Sequence, residues 1–325
     1  MQDVAKAANV SYAAVSAVLN GKDGKSIRVS EATKAKVQEC ADRLGYVPNL
    51  AARELKNGEN SLIAVFTYET IFPVEFRNEF YDFFVGIQDE AAQDGFDLLI
   101  LNNRPSHHTA RSSRIALAAG AVMIGLNRDD NGIASLAKRR FPLVFVGRRD
   151  IPGVQTEWVT FDYRSVIKDL LSHLSSRCRK GLVFIAKRED RTEPSVDKHD
   201  FLLELAVQAG IKVICEYIDD SVAFPAELMD KIRDYGGVVL DRLSFIEPFE
   251  RRCSDLGVVV GRDFIGAVLE DDWVGRYGHW TRWANRRREL GALAVKRLSC
   301  VIHGRSDDTL EKLVPLELIV STSSQ

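Results

Sequence analysis

The 325-residue sequence predicts an α/β protein in which a small helical head precedes a larger body of two α/β lobes. Short helical segments with clear caps and stop signals fill the first 46 residues. From Ser61 onward, apolar runs of five to seven residues alternate with amphipathic stretches of helical length. Apolar strands that alternate with helices are typical of parallel sheets covered on both faces.

The composition is that of an ordinary globular protein, with 46% hydrophobic residues, 28% charged residues and a net charge of -2. No uninterrupted apolar run reaches 18 residues, so we expect no membrane partner. The first ten residues contain Asp3 and no apolar stretch, which argues against a signal peptide. Five scattered cysteines suggest reduced thiols and a cytoplasmic location, namely Cys40, Cys178, Cys215, Cys253 and Cys300.

The charge is distributed unevenly along the chain. Residues 1–58 carry nine Lys or Arg against six Asp or Glu, and the remainder carries 35 against 40. A mildly basic head on an acidic body is compatible with contact to nucleic acid, because phosphate attraction dominates non-specific binding.

The head, residues 1–46, reads as three short helices. Ser11 is a good N-cap for "YAAVSAVLN", which ends at Asn20-Gly21, and only "NV" separates this helix from "DVAKAANV" before it. Such a tight connection is of the helix-turn-helix type. After a polar loop, Ser30 caps a third helix that ends at Gly45.

A linker, residues 47–60, joins the head to the body. Its Pro48-Asn49 pair can open a helix of one or two turns, which Lys56-Asn57-Gly58 would close. A helix of this length is not stable alone, so we predict a hinge helix that depends on its partners.

The body, residues 61–325, contains too many strand-helix units for one compact sheet. We therefore predict two lobes that change near Val159–Asp162, with a ligand cleft between them at the carboxyl ends of the strands. The expected strands are the runs "SLIAVF", "FDLLIL", "AVMIGL", "LVFVG", "GLVFIA", "KVICEYI", "GGVVL" and "FIGAVL".

The ordered string "DVAKAANVSYAAVSAVLNG", followed by "VSEATKAKVQECADRLGYVPNLAARELKNGENSLIAV", resembles the lac repressor (LacI/GalR) family of bacterial transcription regulators. The body resembles it more loosely, through "FDLLILNN", "RDIPGV" and "LGALAVKRL". The resemblance implies a homodimeric repressor with a body similar to periplasmic sugar-binding proteins. Lobe 1 is then expected at about 61–160 and 284–313, and lobe 2 at about 161–283 and 314–325.

The same resemblance implies a set of DNA contacts. The second helix would enter the major groove of a near-palindromic operator, and paired hinge helices would enter its minor groove. Tyr12, Ala13 and Ala17 occupy base-reading positions, and many relatives carry arginine in place of Ala17. We therefore expect weakly specific or A·T-tolerant readout. The expected phosphate and hinge contacts are Ser11, Ser16, Asn20, Asn49, Ala52, Leu55 and Lys56, with Leu55 wedged between central base pairs.

The resemblance also points to an effector site in the cleft, where a small sugar-like molecule would set the affinity for DNA. Phe80 aligns with an aromatic residue that stacks on effectors, although a core position is equally compatible. Arg191 matches an arginine of relatives, whereas Asp197 stands where a second arginine is frequent. The other candidates, each weighed against a plain surface charge or a cleft wall, are Asp241, Arg242, Asp271 and Trp283.

Other functional classes are less compatible with the sequence. The stretch "WVGRYGHWTRWANRRR" mixes tryptophans and arginines as in base-stacking proteins, but a cleft wall or dimer contact fits its place better.

No GxSxG, HExxH or strand-linked GxGxxG is present, so we expect no enzyme, no cofactor and no metal. A solute-binding sensor whose head has lost specific DNA binding is the alternative.

Overall fold

The structure, a computed structural model, describes residues 1–19, 29–46, 60–68, 80–102, 112–126, 131–190, 192–219, 224–272, 275–305 and 309–325. The chain divides into two compact units, Met1–Ser61 and Leu62–Gln325. Among the described residues, none of the helices combines the length and apolar character needed to cross a membrane.

The head contains three helices around a small apolar core. They are α1 (Gln2–Ala8), α2 (Tyr12–Leu19) and α3 (Glu31–Arg43). Both predicted caps are confirmed, because the Ser11 hydroxyl accepts from the Ala14 amide at 3.1 Å and the Ser30 hydroxyl accepts from the Thr33 amide at 3.3 Å. The buried core residues are Val4, Ala5, Ala8, Val15, Val37, Cys40 and Ala41.

Lobe 1 is built on a parallel sheet with strand order β11-β5-β4-β3-β1-β2. Its strands are β1 (Leu62–Thr67), β2 (Asp97–Asn102), β3 (Gly120–Met123), β4 (Leu143–Val146), β5 (Glu157–Phe161) and β11 (Leu313–Val314). The helices that connect or cover them are α4 (Tyr81–Gln93), α5 (Ser112–Ile115), α6 (Asn131–Lys138) and α11 (Arg287–Ile302).

Lobe 2 is built on a second parallel sheet with strand order β7-β6-β8-β9. Its strands are β6 (Leu182–Lys187), β7 (Val213–Ile218), β8 (Gly237–Leu240) and β9 (Ile265–Val268). The associated helices are α7 (Tyr163–Ser175), α8 (Glu193–Gln208), α9 (Ala226–Tyr235) and α10 (Ile246–Asp255). A separate antiparallel pair joins β10 (Arg282–Ala284) to β12 (Glu317–Ile319).

Two glycines allow α4 and α11 to cross closely. A Cβ atom at Gly86 would lie 2.0 Å from the Arg288 carbonyl oxygen, and one at Gly291 would lie 2.3 Å from that of Phe83. Only a residue without a side chain fits at such distances. This crossing fixes the start of α11, and hence Arg287, beside the cleft.

All the apolar runs expected as strands are strands, and their parallel pairing is confirmed. The chain passes from β5 to α7 at Asp162, whose carboxylate caps α7 by accepting from the Ser165 amide at 3.1 Å. The strands β5, β10, β11 and β12 were not expected, because they are short or interrupt their apolar residues with polar ones. The predicted hinge helix lies outside the described residues.

Candidate functional site

A cavity of about 460 Å³ lies between the two sheets of the body. Ile124 follows β3, Lys187 ends β6 and Leu269 follows β9, so the lining comes from the carboxyl ends of strands in both lobes. Open parallel sheets bind ligands at this edge, and the volume suits a small molecule.

One side of the cavity is lined by a continuous series of aromatic rings. Ring centroids are 6.4 Å apart for Phe80 and Phe83, 6.1 Å for Phe83 and Phe161, 6.0 Å for Phe161 and Tyr163, and 5.9 Å for Tyr163 and Trp283. Trp283 is only 2% exposed, so it supports the wall from behind. Apolar ring faces of this kind cover the carbon skeleton of a ligand, and polar groups elsewhere orient it.

The lining of the cavity also carries charged groups, and Asp190 is extensively hydrogen-bonded among them. Its carboxylate accepts from the Thr192 amide at 2.9 Å, the Thr192 hydroxyl at 2.7 Å and the Ser195 hydroxyl at 2.9 Å. It also forms an ion pair with Arg242. Burial raises the pKa of Asp190, but these donors outweigh it and lower the pKa to about 2.

Arg242 links Asp190 to a buried carboxylate behind the cavity wall. Its Nη2 donates to Asp241 Oδ2 at 3.0 Å, and its guanidinium carbon lies 5.7 Å from the centroid of the Phe245 ring. Burial acts to lower the pKa of Arg242, but the carboxylates of Asp241 and Asp190 raise it overall. The guanidinium group is thus held in place on three sides.

Lys198 is a buried cation that lines the same cavity. Its Nζ lies 2.7 Å from Asp241 Oδ1 and donates to the main-chain oxygens of Asp241 at 2.9 Å and Leu269 at 3.2 Å. Because buried charges are costly unless paired, Lys198 and Asp241 depend on each other.

Glu193 and Asp197 lie one turn apart on α8, and both contact Arg148 of lobe 1. The Arg148 amide donates to Glu193 Oε1, and its side chain donates to Asp197 Oδ2 through Nε at 3.1 Å and Nη2 at 2.7 Å. Burial, and next the charge of Asp197, raise the pKa of Glu193 well above its usual range. Glu193 is part of the cavity lining, whereas Asp197 is not.

A second ion pair joins the lobes at Arg287, the first residue of α11. Its Nη1 donates to Asp271 Oδ2 at 2.7 Å. Burial raises the pKa of Asp271, although the guanidinium partly offsets this effect. Arg287 itself lines the cavity.

The predicted effector residues are therefore only partly brought together. Phe80, Arg242 and Trp283 line the cavity, and Arg191 lies outside the described residues. Three predictions need correction, because the carboxylates concerned are engaged by protein cations and do not line the cavity: Asp197, Asp241 and Asp271.

Sequence reasoning missed Lys198, Glu193, Asp190 and Arg287. A signal for Lys198 was present, since it shares a helical stripe with the buried Leu202 and Leu205. A lysine on an apolar stripe is unusual and indicates a buried partner.

In the head, α2 presents a small exposed surface. Ser11, Tyr12 and Ala13 are exposed, with Tyr12 at 54%, and Ser16 is half-buried. Ala17 is 4% exposed, so the prediction that it occupies a base-reading position is corrected. The remaining expected DNA contacts lie outside the described residues: Asn20, Asn49, Ala52, Leu55 and Lys56.

Comparison with known proteins agrees with this architecture. Residues 1–49 match the family model described as bacterial regulatory proteins, lacI family. The HTH-type transcriptional regulator PtxS of Pseudomonas aeruginosa is 24% identical over 100% of this chain and 95% of its own length. PtxS of Pseudomonas putida is 26% identical, over 61% of this chain and 57% of that protein.

Solved structures of similar fold extend over the whole chain. The lac repressor dimer bound to operator and the anti-inducer ONPF gives a TM-score of 0.73 at 20% identity, covering 99% of this chain and 98% of that one. The transcriptional regulator CelR in complex with cellobiose gives 0.67 at 22% identity, with the same coverage.

A helix-turn-helix head followed by a two-lobed body with a cleft defines a DNA-binding transcriptional regulator with a ligand-binding domain. The head, residues 1–49, matches the lacI family of bacterial regulatory proteins, and the chain as a whole is similar to regulators of that kind.

Proposed function

We propose that this protein is a homodimeric repressor whose affinity for operator DNA is controlled by a small sugar-like effector bound in the cleft. It acts in the cytoplasm, where its DNA target lies. The observation that carries the proposal is the cavity at the strand ends of both lobes, in a chain whose first 49 residues match a family of regulators.

The lining of the cavity supports a sugar-like effector. Its aromatic rings suit the apolar face of a sugar ring, and its carboxylates, hydroxyls and guanidinium groups suit the hydroxyls of that sugar. The CelR structure contains cellobiose, which shows that a body of similar fold holds a sugar in that protein.

On the DNA side, Tyr12 is the main candidate for base contact because it is the large exposed side chain of α2. Neither Ala13 nor Ala17 can form the bidentate bonds by which arginine recognises guanine. Sequence discrimination then depends more on Tyr12, on phosphate contacts and on a minor-groove wedge at Leu55.

Effector binding controls DNA binding only if the effector prefers one of two lobe arrangements. The coupling is reciprocal, so operator DNA changes effector affinity by the same factor. The ion pairs of Arg148 and Arg287 join the lobes, and any change in the lobe angle must rearrange them.

The alternative, a solute-binding sensor without specific DNA binding, is favoured by the small side chains on the exposed face of α2. Selection of palindromic duplexes from a random pool by the purified protein separates the two. We expect enriched operators whose binding weakens as salt rises. A protein that enriches no sequence is not a specific repressor.

Substitutions in the head and the hinge then test which residues contact the operator DNA. Tyr12→Ala and Leu55→Ala should each weaken binding to the selected operator by roughly 10-fold or more, on the order of 1–3 kcal/mol, and leave effector binding unchanged. Gln38→Ala, an uncharged change at an exposed position of α3, is the matched control and should bind operator as the wild type does.

A further inference from the structure

Three cations that line the cleft are already paired with carboxylates of the protein. Lys198 pairs with Asp241, Arg287 pairs with Asp271, and Arg242 pairs with both Asp190 and Asp241. Lys187, which also lines the cavity, interacts with its neighbours as well. An anionic ligand would therefore have to displace a carboxylate from a formed ion pair.

Three buried polar atoms on residues that line the cavity have no hydrogen-bond partner among the described residues. They are Glu193 Oε2, Asn285 Oδ1 and Arg242 Nε. Glu193 is only 3% exposed, and its other oxygen is held by the Arg148 amide. Leaving a buried polar atom without a partner is unfavourable, so a ligand that supplies the partner gains affinity.

A hydroxyl group both donates and accepts a hydrogen bond, and can therefore satisfy the carboxyl and amide oxygens as well as the guanidinium N–H. A phosphate or carboxylate group that is fully ionised only accepts hydrogen bonds, so it has no proton to offer to the Asn285 oxygen. Glu270, whose carboxylate accepts from the Leu243 amide at 2.6 Å, adds negative charge to the same wall.

We infer that the cleft selects an uncharged, hydroxyl-rich ligand over its phosphorylated or carboxylated counterpart, and that Glu193 hydrogen-bonds a ligand hydroxyl. This inference rests on the proposed effector-binding function. It adds the charge class of the ligand and a specificity-determining residue.

The test uses the full chain and matched sugar panels in thermal-shift and calorimetric titrations. Each neutral sugar, such as glucose or cellobiose, is compared with a charged counterpart, such as glucose 6-phosphate or gluconate. We expect at least one neutral sugar to bind, and its charged counterpart to bind at least 10-fold more weakly.

Variants at Glu193 test the assigned contact with the neutral sugar that binds. Glu193→Gln keeps the shape and the hydrogen-bonding capacity and should stay within a few-fold of the wild-type Kd, whereas Glu193→Leu should raise the Kd by more than 10-fold. Asp200→Asn, an exposed position on the same helix, is the control. Operator binding by each unliganded variant reports that it is folded.

The outcomes separate the inference from the function on which it rests. A charged compound that binds more tightly than its neutral counterpart, and competes for the same cavity, overturns the charge class but leaves an effector-binding regulator. Unchanged affinity in Glu193→Leu removes the role of Glu193. If no compound of either class binds, the effector-binding function itself fails.

Discussion

Arg148 of lobe 1 and Asp197 of lobe 2 form an ion pair across the two halves of the body, with Arg148 Nη2 at 2.7 Å from Asp197 Oδ2. The guanidinium also lies over the Phe201 ring, 5.0 Å from its centroid. Arg164 makes a comparable arrangement at the surface, with Glu204 as its acid and the same ring at 5.5 Å. The two arginines differ chiefly in the burial of the acid, since the side chain of Asp197 is 5% exposed and that of Glu204 is 48% exposed.

This difference predicts unequal effects on stability. Arg148→Ala should lower the free energy of unfolding by about 2 kcal/mol, because it leaves a buried carboxylate without its partner. Arg164→Ala should cost less than about 1 kcal/mol, since exposed pairs contribute little. Urea unfolding of the two variants measures both values, and equal losses would show that burial of the acid is not decisive here.

The buried pair of Lys198 and Asp241 predicts a double-mutant effect. Lys198→Met should destabilise the body by about 3–5 kcal/mol, because the buried carboxylate of Asp241 loses its closer cation and keeps only the pairing with Arg242 among the described cations. Adding Asp241→Asn should recover part of that loss, since the uncompensated charge is removed. Additive losses in the double variant, measured by urea unfolding, would contradict the coupling.

The raised pKa of Glu193 predicts a pH-dependent contribution to stability. Because the folded state holds the Glu193 proton more tightly than the unfolded state, this contribution is full below the ordinary glutamate pKa of 4.5 and is lost as pH rises through the folded pKa. Glu193→Gln should remove it. The difference in unfolding free energy between wild type and variant should then change by up to about 1.4 kcal/mol per pH unit in that range.

The groups that face Glu193 provide the controls for this titration. Asp197 lies on the same helix, Arg148 lies after β4, and Tyr163 lies at the start of α7. Asp197→Asn should shift the transition to lower pH, because it removes the neighbouring negative charge. Asp200→Asn should leave the profile unchanged. Parallel wild-type and Glu193→Gln profiles across this range would mean that Glu193 does not titrate there.

Two buried tryptophans provide a matched pair for testing the aromatic wall. Trp283 lines the cavity, whereas Trp280 packs inside lobe 2 against Phe249, with ring centroids 5.9 Å apart. Trp280→Phe and Trp283→Phe should each cost about 1–3 kcal/mol of stability. Only Trp283→Phe should weaken binding of the neutral sugar in calorimetric titrations; equal affinity losses would show that the effect is indirect.

Local features of the chain were predictable because their causes are local. The caps at Ser11 and Ser30 follow from a hydroxyl placed just before a helix, and the parallel strands follow from apolar runs separated by helices. The position of the cleft also followed, since parallel sheets bind ligands at their carboxyl edge. Even so, the burial of Ala17 was missed, because the family pattern gives a position along α2 and not the packing around it.

The sequence by itself therefore determined the head, the two parallel sheets and the edge at which a ligand binds, because hydrophobic periodicity and caps act over a few residues. The tertiary structure decided which acids face the cleft and which are neutralised behind it. Asp197, Asp241 and Asp271 find their cations on other elements, at Arg148, Lys198 and Arg287. Such pairs form only when distant segments of the chain pack together in a buried environment, where an unpaired charge is costly. A local sequence pattern does not show which segments pack together.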